Sequence, residues 1–197
     1  MNKPANTNLD IIDPIKNRWS PRAFSEKEID NDTLTRIFEA ARWAPSSMNE
    51  QPWSFIFVRN SDENNFNKVV NSLMETNKEW ASKVPLLIVT IIKTFYSRNE
   101  SANKVAMYDV GQAAAYLSLQ ASAEGIFVHQ MGGFDKAELK KSMELPDGYE
   151  PVTVIAAGYA GNPETLPEKF KKREFAERER QPLNEFVFES EWQNNLD

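Results

Sequence analysis

The run VPLLIVTII at residues 84–92 limits the fold more than any other stretch of the chain. A strand with one wet face alternates apolar and polar side chains, whereas an uninterrupted run suits a strand buried on both faces. Helical and strand patterns interleave around it. Residues 29–45, IDNDTLTRIFEAARWAP, read as a helix: Asp or Asn at 30–32 can cap it, Leu34, Ile37, Phe38 and Ala41 share one face, and Pro45 ends it. The aromatic and β-branched stretch WSFIFVRN, 53–60, reads as a strand, and residues 62–80 as helical. The longest periodic segment is the Ala-rich helix 104–124, with Gly125 as its C-cap. Residues 126–130 and 151–160 read as strands, 135–145 as a short helix with Asp135 near its start, and FVFES, 186–190, as a candidate last strand. Strands and helices mixed in one core point to α/β or α+β.

The length of 197 residues and a hydrophobic content of 41% suit a single domain over 1–197 with a sizeable core. A formal net charge of -6 argues against a protein whose main task is gripping nucleic acid or an anionic membrane. The absence of cysteine excludes disulfides, thiolate nucleophiles, iron–sulfur clusters and CxxC redox chemistry. With one histidine, His129, a His-based metal site or a serine–histidine triad is disfavoured. The opening MNKPANTNLD lacks the apolar core of a secretory signal, and no apolar run is long enough to span a bilayer. A soluble cytoplasmic protein is the expectation.

Four stretches could carry chemistry, each with a plain structural alternative. RWSPRAF, 18–24, sets Arg18 and Arg22 four apart with Ser20 midway, which suits a phosphate-bearing ligand or a structural salt bridge. The connecting loop APSSMNEQPWSF, 44–55, offers hydroxyl and amide groups, or simply stops a helix and turns. HQMGGFD, 129–135, has paired glycines that let backbone approach a flat ligand, or make an ordinary turn; His129 fits a core histidine with satisfied hydrogen bonds. RER, 178–180, is a solvated charge run or a pair of guanidinium groups for a phosphate. None of the seven glycines forms GxGxxG or a Walker A loop, so any phosphate must be held by side chains.

Taken together and in this order, RxSxRxF, PSSxNxQPW, MGGFD and RxRxPL resemble the nitroreductase family of flavoproteins, over about Ile12 to Val187. The resemblance implies an α+β three-layer sandwich, a central mostly antiparallel sheet flanked by helices, in an intertwined homodimer. It implies FMN, with Arg18 and Ser20 at the ribityl phosphate, Arg178 and Arg180 completing that site, and Arg22 near the pyrimidine end of the ring. Pro45, Ser46, Ser47 and Asn49 would reach the partner's flavin. Met131, Gly132 and Gly133 would lie against the dimethylbenzene-to-N5 edge, with the backbone N–H of Gly132 donating to N5, and Asn77 would contact the polar edge. Some relatives carry a lysine three residues after that asparagine; Trp80 stands there, and its arrival could shift the flavin potential or stack on a substrate. Small residues at Gly111, Ala113, Ala114 and Ala115 would permit close helix contact in the dimer, and the tail from about 184 to 197 would embrace the other subunit.

The expected activity is hydride transfer from NADH or NADPH through FMN to a small-molecule acceptor such as a nitroaromatic or quinone. No metal and no side-chain acid or base is required. Without a dinucleotide fingerprint the nicotinamide would visit the pocket later used by the acceptor, giving ping-pong kinetics. Reductive dehalogenation, flavin fragmentation, or a flavin-binding module without turnover are the alternative readings.

Overall fold

A computed structural model describes residues 3–194. Four strands form one sheet in the order β1-β2-β4-β3: β1 Trp53–Arg59, β2 Leu86–Lys93, β3 Phe127–Met131 and β4 Tyr149–Gly158. Every pairing is antiparallel, so the expected "mostly antiparallel" sheet is wholly so. β2 lies inside the sheet and is buried from Leu86 to Ile92. Its alternation separates two cores. Leu87, Val89 and Ile91 meet one set of helices, while Leu86 and Ile88 meet another.

The second core lies under helices α2, Asn31–Arg42, and α5, Ala106–Ala123. Asp30 caps α2 by accepting from Thr33 N at 2.8 Å, and Leu34, Ile37 and Ala41 supply the buried face. α5 buries Ala113, Leu117 and Ala121 at helical spacing. Gly125, at φ 71°, closes α5, and Ile126 N donates back to Ala121 O at 2.8 Å. The first core lies under α3 Glu63–Ser72, α4 Glu75–Ala81, α6 Lys136–Ser142 and α7 Glu168–Phe175. The sheet is therefore a middle layer with helices on both faces. A short helix, α1 Asp13–Asn17, packs against α5.

Three expectations need correction. The helix expected over 62–80 breaks at Leu73 and Met74, both extended, because their segment docks on the 133–135 turn: Met74 N donates to Gly133 O and Asp135 N to Ser72 O. FVFES is not a strand; a 3-10 turn, Leu183–Glu185, precedes it, and Ser190 at φ 65° breaks the extended path. Part of the expected tail, 195–197, lies outside the described residues. Of the four small residues expected at a helix contact, Ala113 and Ala114 are buried inside their own chain, while Gly111 and Ala115 face outward.

Candidate functional site

Past α1 the chain becomes extended and runs alongside the end of β4. Phe24 bridges Ala160, and Ser25 N donates to Tyr159 O at 3.0 Å. This pins residues 18–24 to the sheet. The segment after α7 comes back to meet them. Lys3, Arg18, Ser20, Arg173, Arg178 and Arg180 line one cleft of about 210 Å³, with Glu177 as the lone carboxylate on its wall.

That cleft is a concentration of positive charge. Burial lowers the pKa of Arg18, and the nearby Arg180 lowers it further. Burial, then Arg18 and Arg180, does the same to Arg178. Arg18 and Arg178 nonetheless stay protonated at neutral pH. An anion bound in the cleft would relieve their mutual repulsion. Arg18 Nη2 donates to Ser20 Oγ at 3.0 Å, which sets the hydroxyl beside the guanidinium. Arg178 Nη1 donates to the carbonyls of Lys3 at 2.7 Å and Lys16 at 3.0 Å. Trp19, on the same wall, carries a buried indole N–H with no acceptor among the described residues. The four residues Arg18, Ser20, Arg178 and Arg180 thus share one cleft, and its donors and charge fit a terminal phosphate group.

Arg22 points elsewhere. It lines a neighbouring cavity with Phe24 and Trp80. Its guanidinium carbon lies 6.0 Å from the Trp80 ring centroid. Trp80 is buried, stacked with Phe24 at 6.3 Å and tilted against His129 at 4.7 Å. Within this chain Trp80 has no face free to stack on a substrate; it is the floor beneath Arg22. His129 Nδ1 lies 2.8 Å from Pro21 O. A carbonyl only accepts, so Nδ1 bears the proton. Burial, the dominant cause, holds the His129 pKa down to about 4, and the ring is neutral at physiological pH.

The MGG turn ends β3. Met131 is buried, and Gly132 is exposed with open space above it. The carbonyl of Gly133 accepts from Asn77 Nδ2 and Met74 N, both at 3.0 Å. A side chain at Gly133 would place its Cβ 2.9 Å from Asn77 Nδ2, so glycine is needed for this approach. Asn77 therefore spends its amide nitrogen on the turn. The PSSMN loop stands apart from the cationic cleft. Ser47 N donates to the buried Asp109 of α5 at 3.2 Å, and Ser46 Oγ accepts from Gln51 N. Pro45 and Asn49 are exposed, and Met48, Asn49 and Gln51 all have positive φ.

Lys3, Arg173 and Glu174 were not anticipated. Glu174 is 1% exposed, yet it sits in a charged run. Its signal was the spacing from Phe170: four residues apart on a helix, both belong to the apolar face.

An α+β sandwich with an arginine-lined anion cleft beside its sheet narrows the class to proteins that hold a phosphate by side chains. Residues 15–159 match the Nitroreductase family, and the chain belongs to that family of oxidoreductase enzymes. It is 28% identical over 162 residues to a protein of Methanothermobacter thermautotrophicus provisionally named NADH dehydrogenase/NAD(P)H nitroreductase, covering 80% of this chain and 81% of that one. It is 35% identical over 98 residues to an uncharacterised 15.4 kDa protein of Mycolicibacterium smegmatis, spanning half of this chain and 66% of that protein. Among solved structures, a crystal structure of an oxidoreductase containing FMN superposes with a TM-score of 0.88 at 30% identity, covering 95% of each chain. A nitroreductase family protein from Clostridium difficile 630 shares the fold at TM-score 0.74 and 22% identity, over 93% of this chain and all of the other.

Proposed function

We propose that this single-domain protein is an FMN-dependent oxidoreductase that takes hydride from NADH or NADPH and reduces a small organic acceptor such as a nitroaromatic or quinone, working as a homodimer. The observation that carries the reading is the cleft where Arg18, Ser20, Arg178 and Arg180 converge, in a chain 30% identical to an FMN-containing oxidoreductase. The names of relatives such as the one from Methanothermobacter support NAD(P)H as donor.

Bound FMN would supply the redox chemistry, accepting hydride from the nicotinamide and delivering two electrons to the acceptor. The chain's own residues would bind, orient and shield. Arg18, Ser20, Arg178 and Arg180 would hold the phosphate through charge-assisted hydrogen bonds. Arg22 would set a positive charge at the pyrimidine end of the ring. The Met131–Gly133 turn would lie on the opposite edge, with the exposed Gly132 leaving its backbone open to the ring. Asn77, held to Gly133, keeps its carbonyl oxygen for the polar edge. Pro45, Ser46, Ser47 and Asn49 would serve the partner's site, which accounts for a polar loop standing clear of its own cleft. With no GxGxxG loop, donor and acceptor would use the same open face in turn, giving ping-pong kinetics.

Purified protein should be yellow, with an absorbance spectrum and a released cofactor matching equimolar FMN. A colourless chain that fails to take up added FMN overturns the proposal. Steady NAD(P)H oxidation with a quinone or nitrofuran separates an enzyme from a binding module, and parallel double-reciprocal lines support ping-pong order.

A further inference from the structure

Two groups from elements distant in sequence converge on three residues of the N-terminal segment. His129, on β3, donates through Nδ1 to Pro21 O at 2.8 Å. Glu174, on α7, accepts from Arg22 N at 3.0 Å with each carboxylate oxygen and from Ala23 N at 3.1 Å with Oε1. The backbone is thus gripped on both sides of the Arg22 side chain, and that side chain rests over Trp80.

Glu174 has an unusual position for a carboxylate. It is 1% exposed and has no Lys or Arg within ion-pair distance among the described residues. Burying an unpaired charge is costly unless its lone pairs are satisfied. Both oxygens here face backbone N–H groups, so the site calls for a group that only accepts. A glutamine would turn an NH2 toward an N–H. As bare charge, Glu174 would work against an anion bound nearby. Its location makes sense through the geometry that it imposes.

We propose that Glu174 and His129 are positioning residues that aim Arg22 at the flavin ring, an inference that rests on the function proposed above. Fixing Pro21 O, Arg22 N and Ala23 N removes the backbone freedom of the residue between them. The stack of Trp80 with His129 and Phe24 then gives the guanidinium one resting surface. The side chain that would face the ring is held by groups that never touch the ring.

Midpoint potentials of FMN-saturated variants test this, because the sign of the change separates geometry from charge. Positioning predicts that Glu174→Gln weakens the preference for reduced flavin about tenfold, a fall of about 30 mV for a two-electron couple. Loss of a negative charge alone would raise the potential, and a raised or unchanged value overturns the inference. In an Arg22→Ala background the fall caused by Glu174→Gln should vanish; a fall that persists there also overturns it. Should Glu174→Gln fail to fold, the His129 pair decides. His129→Asn, which keeps an N–H near the Nδ1 position, should retain the wild-type potential, and His129→Phe, which keeps a ring without the donor, should lower it; equal potentials in the two overturn the proposal. A wild-type chain that binds no FMN rejects the proposed function and this inference together. Loaded wild type with variants at its own potential rejects this inference alone.

Discussion

Arg18 and Arg22 are four residues apart but occupy different cavities, and they should fail differently when removed. Two-electron reduction leaves negative charge near the flavin N1 and O2. A guanidinium at that edge favours the reduced form, and a charge-assisted hydrogen bond is worth about 1.5–3 kcal/mol. At about 30 mV per 1.4 kcal/mol, Arg22→Ala should lower the FMN potential by about 30–60 mV in a redox titration. Arg18→Ala should instead weaken FMN binding in a fluorescence titration and leave the potential of bound flavin near its original value. Equal behaviour of the two variants would mean that the cavities are not separate in function. His129 carries a second residue-scale expectation. Its folded pKa, about 4, lies below the ordinary value of 6.5, so the unfolded chain takes up the proton first. Stability from this residue is complete above pH 6.5 and is lost as pH falls toward 4, by about 3 kcal/mol in total. Chemical denaturation of wild type and His129→Asn across that window should show a smaller acid loss in the variant.

At the scale of elements, α5 supplies much of one core, and Leu117 is fully buried at its centre. Leu117→Ala should cost about 2–5 kcal/mol of unfolding free energy, measured by urea titration, because the sheet beneath cannot collapse into the gap. Elements of this kind were legible in the sequence. α2 and α5 show an apolar face at helical spacing, and β2 is an apolar run that only a two-sided burial explains. Elements shaped by partners distant in sequence were not. The break at Leu73 and Met74 exists because the 133–135 turn takes their hydrogen bonds, and no local pattern announces that. α7 reads as solvated charge until one sees that Phe170 and Glu174 both face inward. The site divides in the same way. Arg18, Arg178 and Arg180 of the cationic cleft could be picked out by motif, whereas Lys3 and Glu174 matter through neighbours more than a hundred and fifty residues away.

The whole molecule leaves an apolar face uncovered. On α5, Met107, Tyr108 and Tyr116 are exposed, Tyr108 by 71%, beside the outward Gly111 and Ala115; Ile12 and Ile15, at the nearby α1, are exposed too. Patches of this kind mark protein contacts. A Cβ added at Gly111 meets nothing within 4 Å, so a larger side chain there does not disturb the chain's own packing. Gly111→Leu should therefore leave a folded protein but weaken the proposed homodimer, read as a shift toward monomer in light scattering at micromolar concentration. FMN content should drop with it, since Ser46, Ser47 and Asn49 would no longer reach a partner's flavin. A dimer of undiminished stability in that variant would place the interface on another face.

The ties between Lys3 and the carbonyls of Glu174 and Ala176, and from Arg178 to Lys3 and Lys16, set an order of manufacture. The wall carrying Arg18 and Ser20 leaves the ribosome more than a hundred and fifty residues ahead of the wall carrying Arg173, Arg178 and Arg180. At about 5–20 residues per second, the early wall waits on the order of ten seconds for its counterpart. During that interval the cleft has only one of its two walls. On the function proposed above, cofactor capture would wait for α7 and the arginines after it, whatever part of the sheet had already formed.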